Sequence, residues 1–359
     1  MNSRSASRPC GALRPLVHAL SVAALLACAA PNAAAQGMKD LKRGPWDPKD
    51  APPSWVVHTS KHYQIQSHAG AEKAERLAEH METMLTVYKR LFPRGRAFKR
   101  FAVKLFGDHR EFLAYGAPPG AGAYYSPVDR EMVCYDTGKW MDEPLTETSA
   151  GEGEDLESMV RQMQARSTMD ILGAAAHEGW HQFFHWYVTS WIELPSWINE
   201  GMGDYFYAAK PLEQSGKKIP AELGRMNEMR LPVIRSAVKR KKHVPIEKIL
   251  GYSQREYYAN PGVCYAEGWA LCQFLLHSEN PEYRKIIPDF IKLIEKDGNV
   301  DDVTKRAFRG IDLAKLEEDW IAWVLVQRLP WEKPAKVDPP KPPIDKPPAE
   351  KPPVKGEAR

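Results

Sequence analysis

The segment His177-Glu178-Gly179-Trp180-His181 constrains the local backbone more than any other stretch of the chain. On an α-helix, positions i and i+4 face the same way about 6 Å apart along the axis. Both imidazoles can then reach one ion, with Glu178 beside the first of them, able to reach a water on that ion. The neighbouring residues agree with a helix. Ser167 or Thr168 can cap its start, Met169, Ile171 and Leu172 form an apolar first turn, and Phe183, Phe184 and Trp186 continue the pattern. Gly173-Ala174-Ala175-Ala176 is a run of small residues where a second element can approach closely.

That second element follows at once. Leu194-Pro195-Ser196 ends the first helix and begins another, Trp197 to Phe206. Glu200 is a charged group in this otherwise apolar segment. An unpaired carboxylate there is costly, and a zinc ion offsets the cost. Gly201 and Gly203 each weaken a helix by about 1 kcal/mol, and close packing against the first ligand helix accounts for them. His177, His181 and Glu200 are therefore the candidate metal ligands, with Zn2+ as the cofactor and Glu178 as the candidate general base. The bland alternative is a pair of surface histidines beside a plain carboxylate. His185 continues the i+4 spacing but lies too far along the axis to share the ion, so it reads as a surface or supporting residue.

The stretch from His177 to Phe206 resembles the gluzincins, the aminopeptidase N family in particular and thermolysin more loosely. In that family the HExxH motif is followed, after eighteen residues, by a Glu within an Asn-Glu-Gly stretch; here residues 182–199 intervene and Asn199-Glu200-Gly201 follows. His181-Gln182-Phe183-Phe184 also resembles the residues that follow the family's motif. The layout is similar to that of an uncharacterised group of bacterial secreted proteins with a zincin-like domain. The resemblance implies that Glu200 is the third ligand. It implies that Asp204 hydrogen-bonds a ligand histidine and fixes its tautomer. It also implies that Tyr265, in Cys264-Tyr265-Ala266-Glu267-Gly268-Trp269, polarises a substrate carbonyl, in the manner of the family's Tyr-Glu-Lys-Gly stretch. The match is partial, since Ala266-Glu267 stands in place of Glu-Lys, and Tyr257 and Tyr258 are rivals. The bland readings are a packed aromatic for Tyr265 and a helix-surface charge for Asp204. The Gly-Ala-Met-Glu-Asn type motif that binds a free amine has no counterpart: Gly120-Ala121-Gly122-Ala123-Tyr124 occupies its place without the Glu. An endopeptidase is therefore expected rather than an aminopeptidase.

The rest of the chain sets the context. Residues 1–35 read as a secretory signal: Arg4, Arg8 and Arg14 form a basic head, Leu16 to Ala30 is an apolar stretch too short to span a bilayer, and Ala33-Ala34-Ala35 offers a cleavage site before Gln36. Leu25-Leu26-Ala27-Cys28 offers an alternative, a lipid anchor at Cys28. The signal takes three of the 50 Lys and Arg, leaving 47 against 46 Asp and Glu, so no field favours nucleic acid or an acidic membrane. The block Lys239-Arg240-Lys241-Lys242-His243 reads as a solvated face. Beyond the signal lie Cys134, Cys264 and Cys272. The last two are eight apart on a predicted helix, about 12 Å along its axis and too far apart to pair.

Residues 36–51 read as a linker, 52–330 as the body, and 331–359 as an extended tail rich in Pro and Lys with almost nothing to bury. Within the body, strands are predicted at Trp55–Thr59, His62–Gln66 and Phe101–Phe106, a helix at Ala69–Phe92, and a hairpin from Ala123–Tyr125 and Met132–Tyr135. From Leu156 on the pattern is mostly helical. Trp180, Trp186, Trp191 and Trp197 read as core or cleft wall. The expected fold class is α+β, a small mixed sheet in residues 52–150 packed on a mainly helical part, 151–330, that carries the HExxH helix; the resemblance implies a zincin-like arrangement. The expected function is an exported zinc metallohydrolase, a peptidase acting on peptide or protein substrates, with no transmembrane span. Two alternatives stand beside it: a non-catalytic zinc-binding envelope protein whose tail docks a partner or the cell wall, and a zinc hydrolase acting on a non-peptide bond.

Overall fold

The computed structural model describes residues 37–93, 100–118, 120–140, 169–188, 194–212 and 220–332. The signal, Ser167 and Thr168, Trp191 and the tail beyond residue 332 lie outside them. The first half is a five-stranded mixed sheet. Strands β1 (Val56–Thr59) and β2 (Tyr63–Ser67) pair antiparallel, and helix α1 (Ala71–Leu91) then crosses over to β3 (Phe101–Phe106), parallel to β2. Leu77, Met81, Leu85 and Tyr88 form the buried stripe of α1, as their spacing requires. Helix α2 (His109–Ala114) starts on Asp108, whose carboxylate accepts the N–H groups of Arg110 and Glu111. A hairpin follows, β4 (Ala123–Ser126) and β5 (Glu131–Tyr135), turned through Arg130 at φ 57°.

The sheet order is β1-β2-β3-β5-β4. Of the two hairpin strands, β4 lies at the edge of the sheet, while Met132–Tyr135 lies in β5, which is paired on both sides, to β3 and to β4. The two-residue alternation of side chains splits the sheet into two faces. Tyr63, Ile65, Phe101, Val103, Leu105, Met132 and Cys134 face the main core. Phe106 and Val133 belong to a second core on the other face.

That second face corrects the reading of residues 37–51 as a linker, because these residues form a packed strap. Met38 and Trp46 are buried. Trp46 exchanges backbone hydrogen bonds with the Gln64 amide, and Gly44 donates to Glu131 at 2.7 Å and accepts from Gln66 and Lys104. Lys104 and Glu131 form a fully buried ion pair, and Tyr115 donates to the other oxygen of Glu131. Most polar groups of this sheet face thus find partners in the strap backbone or in one another, as burial demands; Gln66 Oε1 has no hydrogen bond among the described residues.

The second half is helical. Helix α3 (Ile171–Phe183) continues as one π turn (Phe184–Val188), and α4 is Ser196–Tyr207. A two-stranded ribbon pairs β6 (Lys210–Pro211) with β7 (Ala221–Glu222). Then come α5 (Arg230–Lys239), α6 (Ile246–Ile249), α7 (Gln254–Ala259), α8 (Pro261–His277), α9 (Pro281–Lys296), α10 (Val300–Ala307) and α11 (Leu313–Val326). The cap of α3 is Asp170, whose carboxylate accepts the N–H of Leu172. Helix α8 is buried on nearly all sides from Val263 to Leu275, and Trp180, Trp197, Trp269 and Trp320 are fully buried. Cys134, Cys264 and Cys272 are unpaired and buried. No helix among the described residues is long and apolar enough to cross a membrane.

Glycines set how the central helices meet. A Cβ on Gly179 would lie 2.6 Å from the Met81 methyl, and Tyr88 of α1 donates to the Ala176 carbonyl at 2.6 Å, so α1 is pressed onto α3. A Cβ on Gly173 would lie 3.0 Å from the Tyr207 carbonyl, the close approach that the small-residue run anticipates. Gly203 packs on α3: an added Cβ would strike the His177 ring at 2.6 Å. Gly201 serves a different contact. Its Cβ would lie 2.4 Å from the Gly268 carbonyl, where α4 crosses α8.

Candidate metal centre

Helix α3 delivers His177, Glu178 and His181, whose donor atoms lie within 4.8 Å of one another, a group that could hold a metal ion. Helix α4, laid against α3 through Gly203, delivers Glu200. Glu200 Oε2 lies 3.2 Å from His177 Nε2 and 3.7 Å from His181 Nε2. The imidazoles stand edge to face with ring centroids 4.9 Å apart.

Each donor is oriented from behind. His177 Nδ1 is 3.2 Å from Asp204 Oδ1, and His181 Nδ1 is 3.0 Å from Asn199 Oδ1. In the neutral ring, an acceptor oxygen on Nδ1 places the proton there and leaves Nε2 a lone pair. Glu200 Oε1 accepts from the Tyr258 hydroxyl at 2.8 Å. Two lone pairs and a carboxylate oxygen therefore point at one small volume. Nothing in that set attracts its neighbours unless a cation, or a proton, stands between them. Metal–ligand bonds of 2.0–2.1 Å at a tetrahedral angle put donors about 3.3 Å apart, close to both separations observed. The residues present fit a bound divalent ion.

The electrostatics point the same way. Burial draws the His177 imidazole down, but hydrogen bonds to Asp204 and Glu200, with the charges of Asp204 and Glu178, hold it up at about 10. Burial likewise opposes ionisation of Glu200, and the two imidazoles overcome it, keeping the carboxyl well below its usual range. The cluster attracts positive charge. Behind it, Arg230 Nε donates to Asp204 Oδ2 at 2.6 Å, and together with His177 this outweighs burial and keeps Asp204 ionised. Asn227 ties the arrangement together: its carbonyl accepts the Met229 and Arg230 N–H groups at the start of α5, and its amide donates to the Asp204 carbonyl.

Two tyrosines close the other side. The Tyr265 ring lies 26° from that of His177 at 6.5 Å, with the Arg230 guanidinium 5.0 Å above it. Tyr258 stacks on Tyr265 at 20° and 6.1 Å. Burial, then the Glu200 charge, pushes both hydroxyls above the ordinary phenol range. Tyr257, the third candidate, is buried and donates to the Cys264 carbonyl. His185 lies in the π turn with Nδ1 2.7 Å from the Tyr125 hydroxyl of β4, apart from the donor set.

The structure thus gathers His177, Glu178, His181, Glu200, Asp204 and Tyr265 into one place. It adds three residues to which sequence reading gave no supporting role: Asn199 behind His181, Tyr258 on Glu200, and Arg230 behind Asp204. Asn199 had a signal, adjacency to Glu200 on the same helix. Arg230 had none, since it arrives on α5 through a tertiary contact.

The profile of a family described as a protein of unknown function, DUF1570, matches residues 171–292. That span runs from the first residue of α3 into α9 and holds every residue of the centre. No curated protein matches the chain.

Proposed function

We propose that this chain is an exported zinc metallohydrolase of the zincin-like, gluzincin type, acting on peptides. His177, His181 and Glu200 hold the ion. The observation that carries this reading is the convergence of His177 Nε2 and His181 Nε2 on Glu200 Oε2, at 3.2 and 3.7 Å. Two imidazoles and one carboxylate suit zinc and leave a fourth position for water or substrate. The same donor set serves iron in oxygenases, but a second carboxylate beside the first ligand, Glu178, is what hydrolysis requires.

Bound zinc supplies a Lewis acid and lowers the pKa of water to about 7. The remaining work falls to the protein. Glu178 removes the proton of the attacking water and delivers it to the leaving amine. Asp204 and Asn199 fix the tautomers of the two histidines. Tyr265 faces the cluster beside His177 and offers its hydroxyl to the substrate carbonyl as negative charge develops there. An extended substrate adds to the β4 edge, which packs beside α3, and backbone hydrogen bonds hold it there. The approach to β4, Gly120 to Tyr124, carries no acidic residue for a free amine, in keeping with an endopeptidase.

The test is zinc quantification combined with peptide-library profiling of the purified chain, wild type against Glu178→Gln. Both proteins are expected to hold one zinc, and the variant to lose about 10²- to 10⁴-fold in turnover. A zinc-loaded wild type that cleaves nothing, with Glu178→Gln indistinguishable from it, would leave a non-catalytic zinc protein instead.

A further inference from the structure

We propose that Tyr258 is a positioning residue that holds Glu200 to the ion through a single oxygen and so keeps a coordination position open. The inference rests on the ligand set proposed above and concerns how that set stays three-coordinate from the protein.

A carboxylate can attach to a metal through one oxygen or both, and attachment through both would crowd the place a substrate needs. In Glu200 the two oxygens are divided. Oε2 faces His177 Nε2 and His181 Nε2, while Oε1 accepts from the Tyr258 hydroxyl at 2.8 Å. The carboxylate is only 5% exposed, so water is a poor substitute for that hydroxyl, and a hydrogen bond to an ionised acceptor is among the stronger kinds. Rotation of Glu200 to bring Oε1 inward breaks it.

The place of Tyr258 in the fold separates its role from those of the other supporting residues. Asn199 and Asp204 stand on α4 with Glu200 itself. Tyr258 comes from α7, a short helix begun by a capping box of Ser253 and Glu256. Its neighbour Tyr257 anchors α7, fully buried and bonded to the Cys264 carbonyl of α8. Tyr258 itself is 40% exposed and reaches Glu200 from the open side. Anchoring and positioning are thus divided between adjacent tyrosines, and Tyr258→Phe keeps the ring, its stack on Tyr265 and the Tyr257 anchor while removing the hydroxyl that meets Glu200.

Cobalt replaces zinc as a visible reporter, because four-coordinate cobalt absorbs several-fold more strongly than five-coordinate cobalt. In the cobalt-loaded full chain, Tyr258→Phe is expected to lower the visible absorption at least about twofold, and chelator competition to show zinc held about 10-fold or more weaker. Tyr283→Phe, which removes a tyrosine hydroxyl bonded to a different carboxylate, Asp319, is expected to keep the wild-type spectrum. An unchanged Tyr258→Phe spectrum overturns the proposal, even with weakened affinity, and so does an equal shift in Tyr283→Phe. Metal-free Tyr258→Phe is expected to stay folded and to melt slightly below wild type, because a buried carboxylate loses one donor. A Tyr258→Phe chain that cannot fold assigns the residue to the scaffold and also overturns the proposal. A wild-type chain that takes up neither ion overturns the reading of the centre as well.

Discussion

Around His177, the half-buried Glu178 and the buried Glu200 and Asp204 lie together with Arg230, the fixed cation paired with Asp204. A divalent ion between the histidines and Glu200 brings this set of charges close to balance, which is the physical reason a site of this composition is stable when loaded. Glu267, two residues along α8 from the tyrosine that faces the site, shows the opposite case. Its Oε2 accepts the Val244 N–H, and its Oε1 has no hydrogen bond among the described residues. Burial, reinforced by Glu317, pushes its carboxyl up from 4.5 to about 8. The folded chain therefore keeps a proton that the unfolded chain releases. Stability from this group is complete below pH 4.5 and declines as the pH rises to 8, with a slope of at most about 1.4 kcal/mol per pH unit. Urea unfolding at a series of pH values is expected to show the decline in wild type and to lose this component in Glu267→Gln.

At the level of helices, two glycines a single residue apart in α4 do different work. Gly201 lets the backbones of α4 and α8 cross: an added methyl would meet the Gly268 carbonyl at 2.4 Å, and backbone cannot step aside cheaply. A methyl added at Gly203 would meet the His177 ring at 2.6 Å and so displace that imidazole. Gly201→Ala is expected to lower stability by about 1–3 kcal/mol or more through overpacking. Gly203→Ala is expected to weaken zinc retention more than it lowers the metal-free melting temperature. Denaturant unfolding and chelator competition on both variants check the contrast, and the reverse ranking would refute it. The helices themselves were legible beforehand. Leu77, Met81, Leu85 and Tyr88 marked α1, and the HExxH spacing marked α3. Helix ends were not, because Asp170 rather than Ser167 or Thr168 caps α3, and capping is decided by geometry within a single turn.

Over the whole molecule, the sheet divides two environments. One face carries the apolar core beneath α1 and α3, and the other a polar network closed by the strap of residues 37–51. Lys104 and Glu131 are both fully buried there, and a buried charge left without its partner is strongly destabilising. Lys104→Met is expected to cost about 3–5 kcal/mol in denaturant unfolding. Because the network lies across the sheet from the metal centre, the fraction that remains folded is expected to bind zinc as wild type does.

What the sequence by itself determined was local and periodic: the helix that pairs His177 with His181, the apolar stripe of α1, the alternation of β3, and a glutamate at a spacing that resembles a known ligand set. These follow from 3.6-residue and two-residue repeats, which are written in the order of side chains. The tertiary structure alone decided which strand became the edge, that residues 37–51 pack as a strap, and that Arg230 and Tyr258 stand behind the donors. Those contacts join elements far apart in the chain through particular distances and orientations, and no repeat encodes them. The strap shows the reason most plainly: Gly44 and Trp46 bond to Gln64, Gln66 and Glu131 with backbone groups, and a backbone N–H or carbonyl looks the same at nearly every position of a sequence.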